Sequence, residues 1–125
     1  MSTYDMQIFS DIHLEFNKNY PIIEPLSERL FLVGDIGKIE EDNYRNFLSY
    51  VSENWRIIYY VIGNHELYHD KKSMTTLLKE YKKLFKVYGN INILENNIQY
   101  QDDDYYIIGN TFWSLTKIFM KKKVK

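Results

Sequence analysis

The sequence predicts an α/β fold, a layered sandwich with a mostly parallel sheet and flanking helices. Three short apolar runs, at residues 4–10, 29–33 and 56–62, have the length and composition of strands. Two segments with the apolar repeat of a helix, at 42–55 and 73–88, come after the second and third runs. Strands that alternate with helices are typical of parallel sheets, because a parallel connection must cross over the sheet.

Each predicted strand has a reason in the sequence. The run at 4–10 stops at Asp11. The run at 29–33 is apolar after its first residue and ends at a glycine, as expected for a strand that is buried on both faces. The run at 56–62 has the same character and also ends at a glycine, and 91–94 predicts a short fourth strand.

The remaining connections contain residues typical of loops and turns. Pro21 and Pro25 interrupt any helical period, so 12–28 is predicted to be a loop. Farther along, apolar residues at 98–100 and 105–108 flank the polar sequence Gln-Asp-Asp-Asp, which predicts a β-hairpin. We interpret these aspartates as a charged hairpin turn and not as a cation site.

The two predicted helices have apolar faces and recognisable ends. Asp42 is a candidate N-cap of the first helix and Ser73 of the second, which Gly89 can close in a left-handed conformation. Both apolar faces are predicted to be core. They consist of Tyr44, Phe47, Leu48, Val51 and Trp55 in the first helix, and of Met74, Leu77, Leu78, Tyr81, Leu84, Phe85 and Tyr88 in the second.

Length and composition exclude several classes of protein. With 125 residues, the chain is a single domain spanning 1–125, or part of one. It contains no cysteine, which excludes disulfides and thiolate metal sites and indicates a reducing compartment such as the cytoplasm. No apolar run approaches the ~18 residues of a membrane helix, so we expect no membrane partner.

The charge distribution argues against general binding of nucleic acids. The chain has 16 basic and 17 acidic residues and a net charge of −1. Four of the basic residues lie in the last five positions, so the rest of the chain is acidic. We interpret this lysine tail, which consists of Lys121, Lys122, Lys123 and Lys125, as a solvated terminus.

Polar residues that can bind metals follow the first three predicted strands. Asp11 and His13 follow the first strand, Asp35 the second, and Asn64 and His65 the third. The carboxyl ends of parallel strands lie along one edge of a sheet, so these side chains are expected to meet there. Oxygen and imidazole ligands suit divalent Mn, Fe or Zn. Gly-Asn-His is expected by chance only ~0.01 times in this composition, which makes it the most informative motif.

Four segments resemble the calcineurin-like metallophosphoesterases. They are Ser-Asp-Ile-His-Leu-Glu at 10–15, Val-Gly-Asp-Ile-Gly at 33–37, Ile-Gly-Asn-His-Glu at 62–66 and Ile-Ile-Gly-Asn-Thr-Phe-Trp-Ser at 107–114. The first three are similar to the first three signature blocks of that family, in the same order, and the resemblance covers residues 6–114. It therefore concerns the N-terminal half of the family's domain.

The resemblance implies a function and a role for each site residue. The reaction is hydrolysis of a phosphate ester by a hydroxide that bridges two divalent metal ions, and the substrate is a phosphate ester of open class. Asp11 and His13 would bind one metal, Asp35 would bridge both, and Asn64 would bind the second. His65 would be catalytic, standing beside the phosphate without binding metal.

The sequence also departs from the family pattern. The family has two further blocks, a lone histidine and a later Gly-His-x-His, but no histidine follows His69 in this chain. The resemblance thus implies a domain that is incomplete on its C-terminal side. Two functions stay open: an enzyme that obtains the missing ligands from a partner or from a longer product, and a non-catalytic remnant or interaction module with a partial metal site.

Other polar residues near the motifs have ordinary interpretations. Glu15 and Asp70 are predicted to be surface charges, and His69 a solvent-facing loop residue. Glu66 is adjacent to His65 in sequence, where it can help to orient that imidazole.

An incomplete sandwich would leave apolar surface uncovered. The faces built by Val33, Ile58, Tyr60 and Ile108 are the ones expected to lack cover. A contiguous exposed apolar patch favours association between copies, so self-association is an expected property of this chain.

Overall fold

A computed structural model describes residues 4–95, 99–111 and 116–122, with side chains up to residue 109. Its first sheet has four parallel strands in the order β1-β2-β3-β4. These are β1 (Gln7–Phe9), β2 (Arg29–Val33), β3 (Ile57–Val61) and β4 (Ile91–Ile93). Helix α1 (Asp42–Asn54) connects β2 to β3, and helix α2 (Met74–Tyr88) connects β3 to β4. The predicted α/β class, parallel sheet and flanking helices are confirmed.

A second sheet is antiparallel and has the order β5-β6-β7. Its strands are β5 (Tyr100–Asp102), β6 (Tyr105–Thr111) and β7 (Thr116–Lys122). The pairing of β5 with β6 confirms the predicted hairpin, although residue 98 lies outside the described part of the chain. Among the described residues, no helix is long and apolar enough to cross a membrane.

The apolar residues of the parallel sheet alternate between two cores. On one face Leu30, Leu32, Ile58 and Tyr60 pack with the buried side chains of α1 and α2. On the other face, Phe31, Tyr59 and Val61 pack with Ile107 of the antiparallel sheet and with Leu94. The side chains of a strand point alternately to opposite faces, so a nearly continuous apolar run serves both cores.

The two cores test the prediction that parts of the sheets are left exposed. Ile58 and Tyr60 are fully buried under the helices, so the expectation that their face lacks cover is wrong. Val33 is partly buried against the antiparallel sheet, and Ile108 is 43% exposed. Self-association stays a prediction, and of these four residues only Ile108 is an exposed apolar residue that could take part in it.

Both helices form where their apolar periodicity predicts them. The apolar face of α1 is fully buried at Tyr44, Phe47, Leu48 and Val51. The face of α2 is at most 2% exposed at Leu77, Tyr81 and Phe85. The exception is Met74 in the first turn of α2, which is 45% exposed.

The ends of α1 and the C-terminal strand differ from the sequence prediction. The N-cap of α1 is Glu41 and not Asp42, and it makes no side-chain capping bond.

The C-terminal lysines are not simply a solvated tail, because Lys121 and Lys122 lie in β7, where they pair with Tyr106 and Tyr105 of β6. Residues 123–125 lie outside the described residues.

The start of α2 gives a first testable prediction. The Ser73 hydroxyl accepts a hydrogen bond from the Thr76 backbone N–H at 3.2 Å, which confirms Ser73 as the N-cap. We expect Ser73→Ala to lower the free energy of unfolding by about 1 kcal/mol, because this N–H loses its partner. Urea unfolding measures the change. Ser73→Asp keeps an accepting oxygen and should retain most of the stability; equal losses in both variants would contradict the capping role.

Candidate metal centre

The centre is built from three loops that follow β1, β2 and β3 at the same edge of the parallel sheet. Backbone hydrogen bonds join the first two loops: Asp11 N–H donates to the Gly34 carbonyl at 3.0 Å, and His13 N–H donates to the Asp35 carbonyl at 3.0 Å. The Leu14 N–H adds a third bond, to Ile36 at 2.8 Å. The backbone thus fixes Asp11 and His13 relative to Asp35 without relying on their side chains.

The same three candidate ligands have unusual backbone angles. Asp11 has φ 56°, His13 has φ 51° and Asp35 has φ 55°. Residues other than glycine are uncommon in this left-handed region, and such residues cluster at functional sites. The angles turn the chain sharply at the strand ends.

The side chains of Asp11, His13 and Asp35 converge. One ligand atom from each lies within 4.8 Å of the other two, and His13 Nε2 is 3.7 Å from Asp11 Oδ1. Ligand atoms that share one cation at ~2.1 Å lie roughly 3–4 Å apart, so a small adjustment closes the site on a divalent ion. The donor set fits hard or borderline divalent cations.

His13 also contacts Glu15. Its Nδ1 is 2.8 Å from Glu15 Oε1, and this hydrogen bond is the main cause that raises the pKa of His13. Burial acts in the opposite direction, and the charges of Asp35 and Asp11 add to the rise. Metal binding needs neutral imidazole, so protons compete with the metal for His13 on the acid side.

Glu15 is not the surface charge that the sequence suggested. Its side chain is only 8% exposed, and its Oε2 is buried without a hydrogen-bond partner among the described residues. With His13 and His65 it forms a second group whose ligand atoms lie within 4.8 Å of one another. The sequence signal was its spacing of two residues from His13, a separation at which a sharp bend brings side chains together.

His65 lies at the open side of the centre. Its backbone N–H donates to Asp35 Oδ1 at 2.9 Å, and its ring packs edge-on against the His13 ring with centroids 4.8 Å apart. Tyr68 covers it from another side at a centroid distance of 4.8 Å. The imidazole remains 33% exposed, so a substrate can reach it.

Glu66 does not orient His65, in contrast to the sequence interpretation. It is 1% exposed and points into the protein, where its carboxylate accepts hydrogen bonds from four backbone N–H groups and from the Tyr60 hydroxyl. The N–H donors are those of Asp35, Ile36, Gly37 and Gly63. Glu66 therefore ties the loop after β3 to the loop after β2.

The environment of Glu66 has opposing electrostatic effects. Burial raises the pKa of Glu66 and the backbone hydrogen bonds lower it; burial outweighs them, so the net pKa is raised to about 7. A side chain at Gly63 would collide with the Asp35 backbone and with Glu66, so only glycine allows the two loops to approach this closely.

The remaining candidates lie on the loop after β3. Asn64 is half-buried, and its side-chain N–H donates to the Tyr68 hydroxyl at 2.9 Å. Its role as a metal ligand stays a prediction. His69 and Asp70 are exposed as expected, and His69 Nδ1 accepts backbone hydrogen bonds from Lys71 and Lys72 at 2.9 Å, which stabilises the turn before α2.

Comparison with known proteins gives a family match for this chain. The family model described as calcineurin-like phosphoesterase matches residues 8–123, which include all three loops. An uncharacterized protein of Acanthamoeba polyphaga mimivirus is 38% identical over 88 residues. The alignment covers 68% of this chain and 31% of that relative, so the chain spans about a third of the relative's length. No solved structure gives a significant match.

Proposed function

Because this chain belongs to the calcineurin-like phosphoesterase family, we propose that it forms the N-terminal part of a dinuclear metal centre that hydrolyses phosphate esters. The observation that carries the proposal is the convergence of Asp11, His13 and Asp35 after two neighbouring strands, with one ligand atom from each within 4.8 Å of the other two. Divalent cations, when bound, lower the pKa of water and supply the nucleophile at neutral pH.

The residues of the chain have distinct tasks in this proposal. Asp11 and His13 would hold one cation, Asp35 would be shared between two, and Asn64 would add a neutral ligand to the second. His65 is exposed beside them, where it can donate a proton to the leaving oxygen as negative charge develops there. The remaining imidazole ligands of the family pattern are not among these residues, because no histidine follows His69 in the sequence.

A hydrolysis assay with added Mn²⁺ tests the proposal. We expect little turnover of aryl phosphate mono- or diesters by the chain alone, since the second cation has only Asp35 and Asn64 to bind it. Joining the chain to a segment that carries a histidine and a Gly-His-x-His block should raise the rate. The coding sequence downstream of these residues, read in all frames, is the first place to look for that segment.

Substitution of His65 separates catalysis from metal binding. In the extended protein His65→Ala should lower turnover by about 100-fold, the lower end of what a positioned proton donor contributes. Metal affinity, measured by calorimetry, should stay unchanged. His69→Ala, which removes an exposed imidazole four residues away, is the matched control. Turnover that needs no metal, or that His65→Ala leaves intact, would refute the proposed hydrolysis.

The alternative is a non-catalytic module with a partial metal site, and the absence of histidines after His69 favours it. This alternative predicts metal binding without turnover in every extended form. Robust hydrolysis by the 125 residues alone, abolished by His65→Ala, would contradict both the alternative and the need for additional ligands.

A further inference from the structure

The feature that the proposed function leaves unexplained is the buried carboxylate of Glu15. Its side chain is 92% buried, since 8% is exposed, and one of its two oxygens has no partner among the described residues. Burial of a carboxylate lowers stability unless the charge is compensated. The hydrogen bond that this carboxylate does make, at 2.8 Å, is to Nδ1 of a candidate metal ligand, His13.

We propose that Glu15 is the positioning residue of the centre. Its carboxylate accepts a hydrogen bond from His13 Nδ1–H and so directs His13 Nε2 to the metal. The inference rests on the proposed function for the identity of the site but concerns a residue to which that function assigns no role. In neutral imidazole one nitrogen carries the proton and the other has the free lone pair. A carboxylate only accepts, so contact with Glu15 requires the proton on Nδ1.

The geometry agrees with this assignment of the two nitrogens. His13 Nε2, which this tautomer leaves free, is the nitrogen that lies 3.7 Å from Asp11 Oδ1. A carboxylate that holds one nitrogen of a metal-binding histidine fixes both ring orientation and tautomer, and its removal typically lowers metal affinity by about 10–100-fold.

The same carboxylate is placed to orient His65. Glu15 Oε1 is 3.9 Å from His65 Nδ1, and the rings of His13 and His65 meet edge to face. A small shift of the His65 ring would bring it into hydrogen-bond range of Glu15, whose Oε2 still lacks a partner. One acid can then hold both imidazoles, a metal ligand and a proton donor.

The first test uses the metal-free chain and nitrogen NMR of its three histidines at about pH 9, where neutral imidazole prevails. We expect His13 to be protonated at Nδ1. Glu15→Gln should remove this preference, because an amide can accept from Nδ1–H or donate to bare Nδ1. Glu53→Gln, an exposed acid on α1, should change nothing. His65→Gln and His69→Gln assign the signals. A His13 that is protonated at Nε2, or a spectrum that Glu15→Gln leaves unchanged, overturns the proposal.

The second test is metal affinity with Zn²⁺ by calorimetry and NMR. Glu15→Gln should weaken binding by about 10–100-fold while His13 still binds through Nε2. Binding of Zn²⁺ through His13 Nδ1 would make Glu15 a direct ligand with His13 and His65 and would overturn the positioning role. If the unmodified chain binds no Zn²⁺, the proposed function fails, and the tautomer experiment still decides the role of Glu15.

Discussion

Substitution Asp35→Asn is expected to lower the affinity for Mn²⁺ or Zn²⁺ by more than about 100-fold and to bring hydrolysis by the extended protein below detection. Loss of an outer partner alone lowers affinity about 10–100-fold, and Asp35 is placed as a direct ligand. The substitution removes one negative charge and puts an amide NH₂ where a carboxylate oxygen faced Asp11 and His13. Calorimetry with the purified chain measures the change.

The variant is suited to this test because it is expected to preserve the fold. The remaining amide oxygen can still accept the hydrogen bond that the His65 backbone donates to Asp35 Oδ1 at 2.9 Å. Asp70→Asn removes the same charge from an exposed loop position and should leave metal affinity unchanged. Equal affinities of the Asp35→Asn variant and the unmodified chain would show that the three strand ends are not the metal site.

The second large effect concerns Asp102, which joins the two sheets. Its side chain is 4% exposed and accepts hydrogen bonds from Arg29 of β2 at 2.8 Å, from Arg56 at 2.8 Å and from the Tyr59 hydroxyl at 2.9 Å. We expect Asp102→Asn to lower the free energy of unfolding by about 3 kcal/mol, because breaking a buried ion pair leaves the other charge uncompensated. Arg29 keeps its contact with Asp103 at 2.7 Å, which places the effect at the lower end of the range.

Two comparisons make this prediction specific. Asp104→Asn changes an exposed acid in the turn that follows Asp102 and should have little effect on urea unfolding. Replacing both members of the pair, as in Arg29→Met with Asp102→Leu, should recover part of the stability, because the buried charge of Arg29 is removed with its partner. The recovery is only partial, because the buried Tyr59 hydroxyl loses its acceptor; Arg56, which also loses it, is 45% exposed. A loss of less than about 1 kcal/mol in Asp102→Asn would contradict the proposed role of Asp102 between the sheets.

The same residue predicts a dependence on pH. Burial raises the pKa of Asp102, but hydrogen bonds from Arg29, Arg56 and Tyr59 outweigh it, and the pKa lies below the ordinary value of 3.8. Asp102 therefore binds a proton more readily in the unfolded chain than in the folded one. The stabilisation that the Asp102 carboxylate gives to the folded state is fully present above pH ~3.8 and is lost as pH falls through the lower pKa of the folded state. In the Asp102→Asn variant, the free energy of unfolding measured in urea should depend less on pH in this acid range.

Local sequence predicted the parts of the fold that local physics controls. The limits of β2 and the cap of α2 at Ser73 were predicted correctly, because continuous apolarity and a capping hydroxyl act within a few residues. The strand β7 was missed, since Thr116–Lys122 is rich in lysine and is a strand through its pairing with β6. The fourth family-like segment includes residues 112–115, which lie outside the described residues.

The sequence by itself determined that three of the candidate ligands meet at one edge of the sheet. Asp11, His13 and Asp35 stand directly after predicted parallel strands, and the ends of parallel strands must share one edge, so no knowledge of the packing was needed to bring them together.

Only the tertiary structure decided how the acids beside them act. Glu15 and Glu66 have the same chemistry and stand two residues and one residue after a histidine of the motifs, yet Glu15 turns toward the two imidazoles and Glu66 toward four backbone N–H groups. Asp102 likewise differs from Asp104 by its burial against two arginines. The direction of a side chain depends on contacts with residues distant in sequence, and the local sequence does not predict those contacts.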